Sequence, residues 1–125
     1  MNVGHIEVEP VGGILVLALY GEHDLSTAAE LREEIERVAG SGGDVIVDLT
    51  NAEFIDSSII GVLVAGHRDA GESRDGGRTL IAVAAPGGPV ARLFELVSIS
   101  ELITVYPTRR EALAAANGAS GQRPG

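Results

Sequence analysis

The stretch DVIVDLTNAEFIDSSIIGVLVAG covers residues 44–66 and joins two different patterns. It begins with DVIVDL, a run whose length and apolar character indicate a strand buried on both faces. After Asp56, Ser57 and Ser58, apolar residues recur at helical spacing. The expected buried face of this helix consists of Ile59, Ile60, Leu63, Val64 and Ala70. A buried strand followed by an amphipathic helix is the repeating unit of a parallel α/β sheet.

The rest of the chain alternates in the same way. Further strands are predicted at 5–9, 14–20, 79–84 and 103–106, with helices beginning near Thr27, Pro89 and Thr108. Gly12-Gly13 should fold the first strand back on the second as an antiparallel edge hairpin, while the later crossovers imply parallel pairing. We expect one α/β domain over residues 4–116, with a mixed, mostly parallel sheet and about four helices. Residues 117–125 are polar and glycine-rich, which predicts a disordered tail.

Composition excludes several classes of function. The chain has no cysteine, so disulfides, thiolate metal sites and cysteine nucleophiles are absent. All nine basic residues are arginine, and without lysine there is no P-loop lysine or Schiff base. The net charge is −9, and the only adjacent basic pair is Arg109-Arg110, so no direct nucleic-acid partner is expected.

Other features predict a cytoplasmic protein without cofactors. The longest N-terminal apolar run, Ile14–Tyr20, is too short to span a bilayer and lies too far in to be a signal-peptide core, so no membrane partner is expected. His5, His23 and His67 lack the spacing of metal ligands. We therefore expect no metal and no cofactor.

Polar residues gather where the predicted parallel strands end, and in such sheets sites lie beyond those ends. There, Asp56 or Ser57 can cap the helix, which would leave the hydroxyl of Ser58 exposed in its first turn. Gly61, Val62 and Ala65 are expected on the same outer side, forming a small apolar strip suited to docking a protein. An Asp-Ser-Ser run before a helix is also commonly just a cap.

Three segments resemble the STAS-domain anti-sigma-factor antagonists in order and spacing. VIVDLTNAEFIDSSIIGVL is similar to the family's strand–D-S-[ST]–helix segment, and GEHDLSTAAELRE to its G-E-x-D segment. GGRTLIAVAAPGGPVARLFELVSISELITVYPTRREALAA follows the family pattern of the second half. The resemblance covers about residues 4 to 116. In this sequence Ile59 stands where the family has Gly or Ala, and His23 replaces an apolar residue.

The resemblance implies a regulator that switches partners and is not an enzyme. Its unphosphorylated form would bind an anti-sigma factor that is also a serine kinase, and would thereby release the sigma factor. That kinase would phosphorylate Ser58, and a PP2C-type phosphatase would reverse the modification. Asp24 matches the acid of the G-E-x-D segment on the kinase-binding surface. The residues expected to contact the partner are Asp24, Asp56, Ser57, Ser58, Gly61, Val62 and Ala65.

Three other interpretations stay open at this point. A STAS module could bind partners constitutively, as a scaffold, with Ser58 never modified. A small hydrolase could use Ser57 or Ser58 as nucleophile, although the G-x-S-x-G elbow is missing. A receiver domain has similar α/β alternation, but its chemistry needs a lysine, which this chain lacks.

Overall fold

The computed structural model describes residues 3–41, 43–71 and 79–121. Within these ranges the chain forms six strands and four α-helices. The strands are β1 (His5–Val11), β2 (Ile14–His23), β3 (Asp44–Asp48), β4 (Ala52–Ile55), β5 (Leu80–Val83) and β6 (Thr104–Tyr106). The helices are α1 (Leu25–Ser41), α2 (Ser57–Gly71), α3 (Pro89–Leu96) and α4 (Arg109–Gly121), and a short 3₁₀ turn covers Ile99–Glu101.

The strands form one mixed sheet in the order β1-β2-β3-β5-β6. β1 and β2 pair antiparallel around the Gly12-Gly13 turn, and β2, β3, β5 and β6 run parallel to one another. β4 lies beside the last part of β2, beyond the point where β3 ends, with His23 opposite Ile55. The predicted α/β class, the edge hairpin and the four helices are confirmed.

Helices cover both faces of the sheet because alternate strand residues point to opposite sides. On one face Leu17 and Val47 pack in the larger core with residues of α1, α2 and α3. On the other face Val16 and Ile46 pack in a smaller core with Ala112 of α4. Because its strands are covered on both sides, the sheet shows the continuous apolar runs seen in the sequence.

Gly66 in α2 sets how closely this helix approaches its neighbours. A Cβ atom at this position would lie 2.7 Å from Cδ1 of Leu80 and 3.3 Å from Cγ2 of Ile35. Both residues are buried, so they have little room to move. The missing side chain therefore lets α2 sit directly on α1 and β5, which fixes the position of its first turn.

The structure differs from the sequence predictions mainly around the end of β2. This strand continues to His23 instead of ending at Tyr20, and β4 was not predicted. The apolar run stops just before Gly21, which has a φ of +83° and lies at a register shift. The last three residues of β2 therefore carry no apolar pattern that would predict a strand. At the other end of the chain, α4 extends to Gly121, whereas the predicted tail begins at 117.

No helix among the described residues is long and apolar enough to cross a membrane.

Candidate functional site at two helix starts

Two helices begin side by side at the carboxyl edge of the sheet. β2 and β4 are parallel neighbours there, with His23 opposite Ile55. Each strand is followed at once by an aspartate and then by a helix, Asp24 before α1 and Asp56 before α2. Strand pairing therefore places two helix starts that are far apart in sequence at the same edge of the sheet.

Asp56 caps α2, and the same carboxylate holds the hydroxyl of Ser58. The backbone N–H of Ser58 donates to Oδ1 of Asp56 over 3.0 Å, and the Ser58 hydroxyl donates to the same oxygen. The carbonyl of Asp56 accepts from the backbone N–H of Ile59 at 3.1 Å and from that of Ile60 at 3.3 Å, the second being the first α-helical hydrogen bond. Of the two predicted caps, Asp56 serves and Ser57 does not. Ser57 is exposed and Ser58 half-buried, so the Ser58 hydroxyl is reachable but already oriented by a carboxylate.

Asp24 caps α1 with the same geometry. Its Oδ1 accepts from the backbone N–H of Ser26 at 2.9 Å and from the Ser26 hydroxyl at 2.5 Å. Those two hydrogen bonds, the one from the hydroxyl foremost, lower the pKa of the Asp24 carboxyl below its ordinary value. The cap predicted at Thr27 is therefore wrong: α1 begins two residues earlier, and Thr27 Oγ1 accepts from Asp24 N–H over 3.2 Å. Asp24 thus has a structural role in addition to its predicted place on the partner surface.

His23 lies directly beneath the Asp24 cap and is fully buried. Its Nε2 lies 2.9 Å from the carbonyl oxygen of Tyr20, and its Nδ1 lies 3.1 Å from Oγ1 of Thr27. Because a carbonyl can only accept, Nε2 carries the proton, and Nδ1 is free to accept from the Thr27 hydroxyl. Burial lowers the pKa of His23, although the bond to Tyr20 acts in the opposite direction. A neutral imidazole therefore ties β2 to the first turn of α1.

An ion pair between the buried Asp48 and the half-buried Arg109 holds the turn between β3 and β4 from the other face of the sheet. Nε of Arg109 donates to Oδ2 of Asp48 over 2.8 Å, and its Nη1 donates to Glu9 over 3.1 Å. Oδ1 of Asp48 accepts from the backbone N–H of Thr50 at 3.0 Å and from its hydroxyl at 2.5 Å. Burial alone would raise the pKa of Asp48, but the bonds from Thr50 and Arg109 outweigh it and lower this pKa. The network joins β1, β3 and α4, and fixes the segment that leads to Asp56.

The predicted docking strip on α2 is only partly exposed. Gly61 and Ala65 face solvent, but the prediction that Val62 does so is wrong, because its side chain is 3% exposed and belongs to the larger core. Ile59, Val62 and Leu63 are all buried, so the helix is rotated about its axis towards Val62 relative to the prediction. Ile59, which replaces the family's small residue, is fully buried and so cannot block the exposed side.

Two exposed apolar side chains near the caps were not predicted. Leu25, the first residue of α1, is 74% exposed, and Phe54 of β4, two residues before Asp56, is 50% exposed. Exposed apolar side chains of this size beside a polar cluster are typical of protein interfaces. Their exposure could not be predicted from the sequence pattern, because an apolar residue beside a strand end is more often part of the core.

Among the described residues, no group of three or more His, Asp or Glu side chains is arranged to hold an ion. Asp24 and Asp56 are instead occupied as helix caps, and the acidic groups around Asp48 are paired with Arg109. The arrangement is that of two neighbouring helix caps, one of which holds a positioned hydroxyl.

Comparison with known proteins identifies the family. Residues 5–112 match the STAS domain model. The chain is 32% identical over 114 residues to the anti-sigma-F factor antagonist RsfB of Mycobacterium tuberculosis, covering 90% of this chain and 89% of RsfB.

Solved structures of anti-sigma factor antagonists share the fold of this chain. A crystal structure of an anti-sigma factor antagonist from Mycobacterium paratuberculosis superposes with a TM-score of 0.79 at 26% identity, over 92% of this chain and 95% of that one. The phosphorylated form of SpoIIAA, a Bacillus cell fate determinant, shares the fold with a TM-score of 0.65 at 23% identity, over 89% of this chain and 98% of that one. The chain therefore belongs to the STAS domain family, and the relatives it matches there include anti-sigma factor antagonists.

Proposed function

We propose that this protein is an anti-sigma factor antagonist that binds its anti-sigma factor through the surface around the two helix starts. We call this surface the docking face, and it consists of Asp24, Leu25, Phe54, Ser57, Ser58, Gly61 and Ala65. The observation that carries the proposal is the half-buried Ser58 hydroxyl, held by Asp56 beside the exposed Gly61 and Ala65. Asp56 is not counted in the docking face, because its role is to position the hydroxyl of Ser58. Val62 is excluded from the contact surface because it is buried.

The anti-sigma factor in this scheme is also a serine kinase that uses ATP. Oγ of Ser58 attacks the γ-phosphorus, a new O–P bond forms, and the bond to the leaving ADP oxygen breaks. The hydroxyl proton passes to a base. Asp56 is the acceptor of that proton's hydrogen bond in the free protein, so the carboxylate orients Oγ before the kinase arrives.

Phosphorylation would change the docking face in two ways. A phosphate adds about −1.5 to −2 charges and removes the proton that Ser58 donates to Asp56. The positive end of the α2 dipole favours the new charge, while the neighbouring carboxylate opposes it. A partner that packs closely on Gly61 and Ala65 would then meet a dianion, and a loss of about 3 kcal/mol weakens binding on the order of 100-fold.

The switch would be reset by a PP2C-type phosphatase in the cytoplasm. Hydrolysis of the phosphoserine breaks the O–P bond, releases inorganic phosphate and restores the hydroxyl. The half-buried position of Ser58, with the exposed Ser57 before it, leaves that bond accessible to a second enzyme. The unphosphorylated protein would bind the anti-sigma factor again, and the sigma factor would be released.

Mapping the phosphate tests this proposal. After incubation with the anti-sigma factor and Mg-ATP, mass spectrometry should show one added phosphate, and fragmentation should place it on Ser58. The matched variants are Ser57→Ala, which should be phosphorylated, and Ser58→Ala, which should not. Both should fold, because Asp56 remains to cap α2. A complex that forms with no phosphate transfer at any residue would favour the constitutive scaffold instead.

A further inference from the structure

A groove lies on the face of the sheet that carries the larger core, between α3, the 3₁₀ turn and the edge strand β6. It encloses about 400 Å³, and its apolar lining includes Ala84, Phe94, Ile99 and Val105. α3 has eight residues and contacts β4, on the opposite side from β6. The helix therefore leaves Val105 of the edge strand only half-covered, and the groove is the uncovered space.

Large apolar side chains stand exposed next to this groove. Leu96, the last residue of α3, is 79% exposed, and Val97 and Leu102, in the segment that joins α3 to β6, are 44% and 54% exposed. The segment between them lines the groove and includes Ser98, whose φ of +53° is left-handed and uncommon for a residue with a side chain. Exposed apolar groups clustered around a concave apolar surface mark a site where another molecule binds.

The charges at the groove select the kind of partner. Its charged lining residues are Glu95 and Glu101, both exposed, and within the described residues neither carboxylate has an ion-pair or side-chain hydrogen-bond partner. Arg92, on the same helix, donates instead to the Gly87 carbonyl over 3.4 Å, at the opposite end of α3. An apolar floor with free carboxylates beside it complements apolar side chains accompanied by Arg or Lys.

We infer that this groove is a second docking site, which takes a basic amphipathic peptide segment of another protein. None of its lining residues belongs to the docking face, so the inference does not rest on the proposed function. A second copy of this chain is a poor occupant because each copy carries a net charge of −9. In addition, Arg109 of its one adjacent basic pair is already bound to Asp48 and Glu9.

Selection from a random peptide library displayed on phage tests the inference. Peptides of about 16 residues are selected on the wild-type protein, after depletion on an Ala91→Trp variant in which the indole fills the groove. Ala91 lines the groove and is half-buried, and a thermal melt checks that the variant is folded. The enriched peptides should carry net positive charge together with apolar residues, and should bind the isolated protein with micromolar affinity.

Charge reversal provides the second arm and does not disturb packing. The double variant Glu95→Arg, Glu101→Arg changes two exposed side chains and should weaken the selected peptides at least tenfold. Gly61→Arg, on the docking face, should leave their affinity unchanged. Three results would overturn the inference: no enrichment after depletion, enrichment of acidic or neutral peptides, or equal binding to the charge-reversed protein. A concentration-dependent dimer that Leu102→Glu dissociates would also overturn it, by assigning the groove to a second copy.

Discussion

Replacing Gly61 by Arg should abolish binding of the anti-sigma factor without unfolding the domain, whereas the same replacement at the next residue, Val62→Arg, should unfold it. The two residues are adjacent on α2, but the turn of about 100° between them places Gly61 on the exposed side and Val62 on the buried side. A Cβ atom at Gly61 would meet no atom within 4 Å, so an arginine there extends into solvent. Val62 is 3% exposed and packs in the larger core.

The magnitudes follow from those two environments. Gly61→Arg removes a glycine from a helix interior, which should raise the free energy of unfolding by about 0.5–1 kcal/mol. Val62→Arg loses about 1.5–3 kcal/mol of apolar burial. It also forces a longer, charged side chain into a packed core, at a further cost of several kcal/mol. Because small domains are stable by about 5–15 kcal/mol, the second variant should be largely unfolded.

Urea unfolding followed by circular dichroism measures both stabilities, and calorimetric titration with the anti-sigma factor measures binding. Gly61→Arg should show a native spectrum and no detectable binding. Ala65→Arg, at another exposed position of α2, is a matched control for the docking face and should behave in the same way. The reasoning is refuted if Val62→Arg folds like the wild type and only loses its partner, because α2 would then face the other way.

Three further predictions concern the polar groups that support the site. Asp48→Asn should lower the free energy of unfolding by about 2–3 kcal/mol, since it removes the negative charge of a buried carboxylate that pairs with Arg109. This loss of stability should be full above the ordinary aspartate pKa of 3.8 and should become smaller as pH falls further, because a carboxylate with a lowered pKa stabilises the fold only while it is ionised. Urea titrations of the wild type and the variant at several pH values measure it. His23 should make the wild type less stable as pH falls below 6.5, since only the unfolded chain gains the proton there; a His23→Gln variant with the same slope would contradict this. Asp24→Asn should weaken partner binding with a stability loss below about 1 kcal/mol, since asparagine also caps helices, and unchanged affinity would leave Asp24 as a cap alone.

Most of the fold could be predicted because its signals are local. The apolar run of β3, the Pro89 start of α3 and the turn at Gly12-Gly13 each depend on a few adjacent residues. β4 could not be predicted, since Ala52–Ile55 is a strand only because the extended β2 lies beside it after a register shift. That pairing depends on Gly21 having a positive φ, which the sequence permits but does not require.

The residue types at the site could be predicted from the sequence, but the exposure of their side chains could be predicted only in part. Asp56, one of the two predicted caps, does cap α2, whereas the Ser58 hydroxyl, which was predicted to be exposed, is half-buried and donates to Asp56. The exposure of Val62 was not predicted correctly, because a helical wheel gives the relative angles of side chains and leaves open how the helix is rotated against its neighbours. Gly66, which packs on Leu80 and Ile35, helps to set that rotation through contacts distant in sequence.

The most direct test of the central claim is the dissociation constant of the complex with the anti-sigma factor, measured before and after phosphorylation by Mg-ATP. For the wild type, phosphorylation should raise this constant on the order of 100-fold, and dephosphorylation by a PP2C-type enzyme should restore it. Ser58→Ala should bind with the unphosphorylated affinity under all conditions. Equal affinity of the phosphorylated and unphosphorylated wild type would contradict the account, since the hydroxyl held by Asp56 would then serve only the helix start.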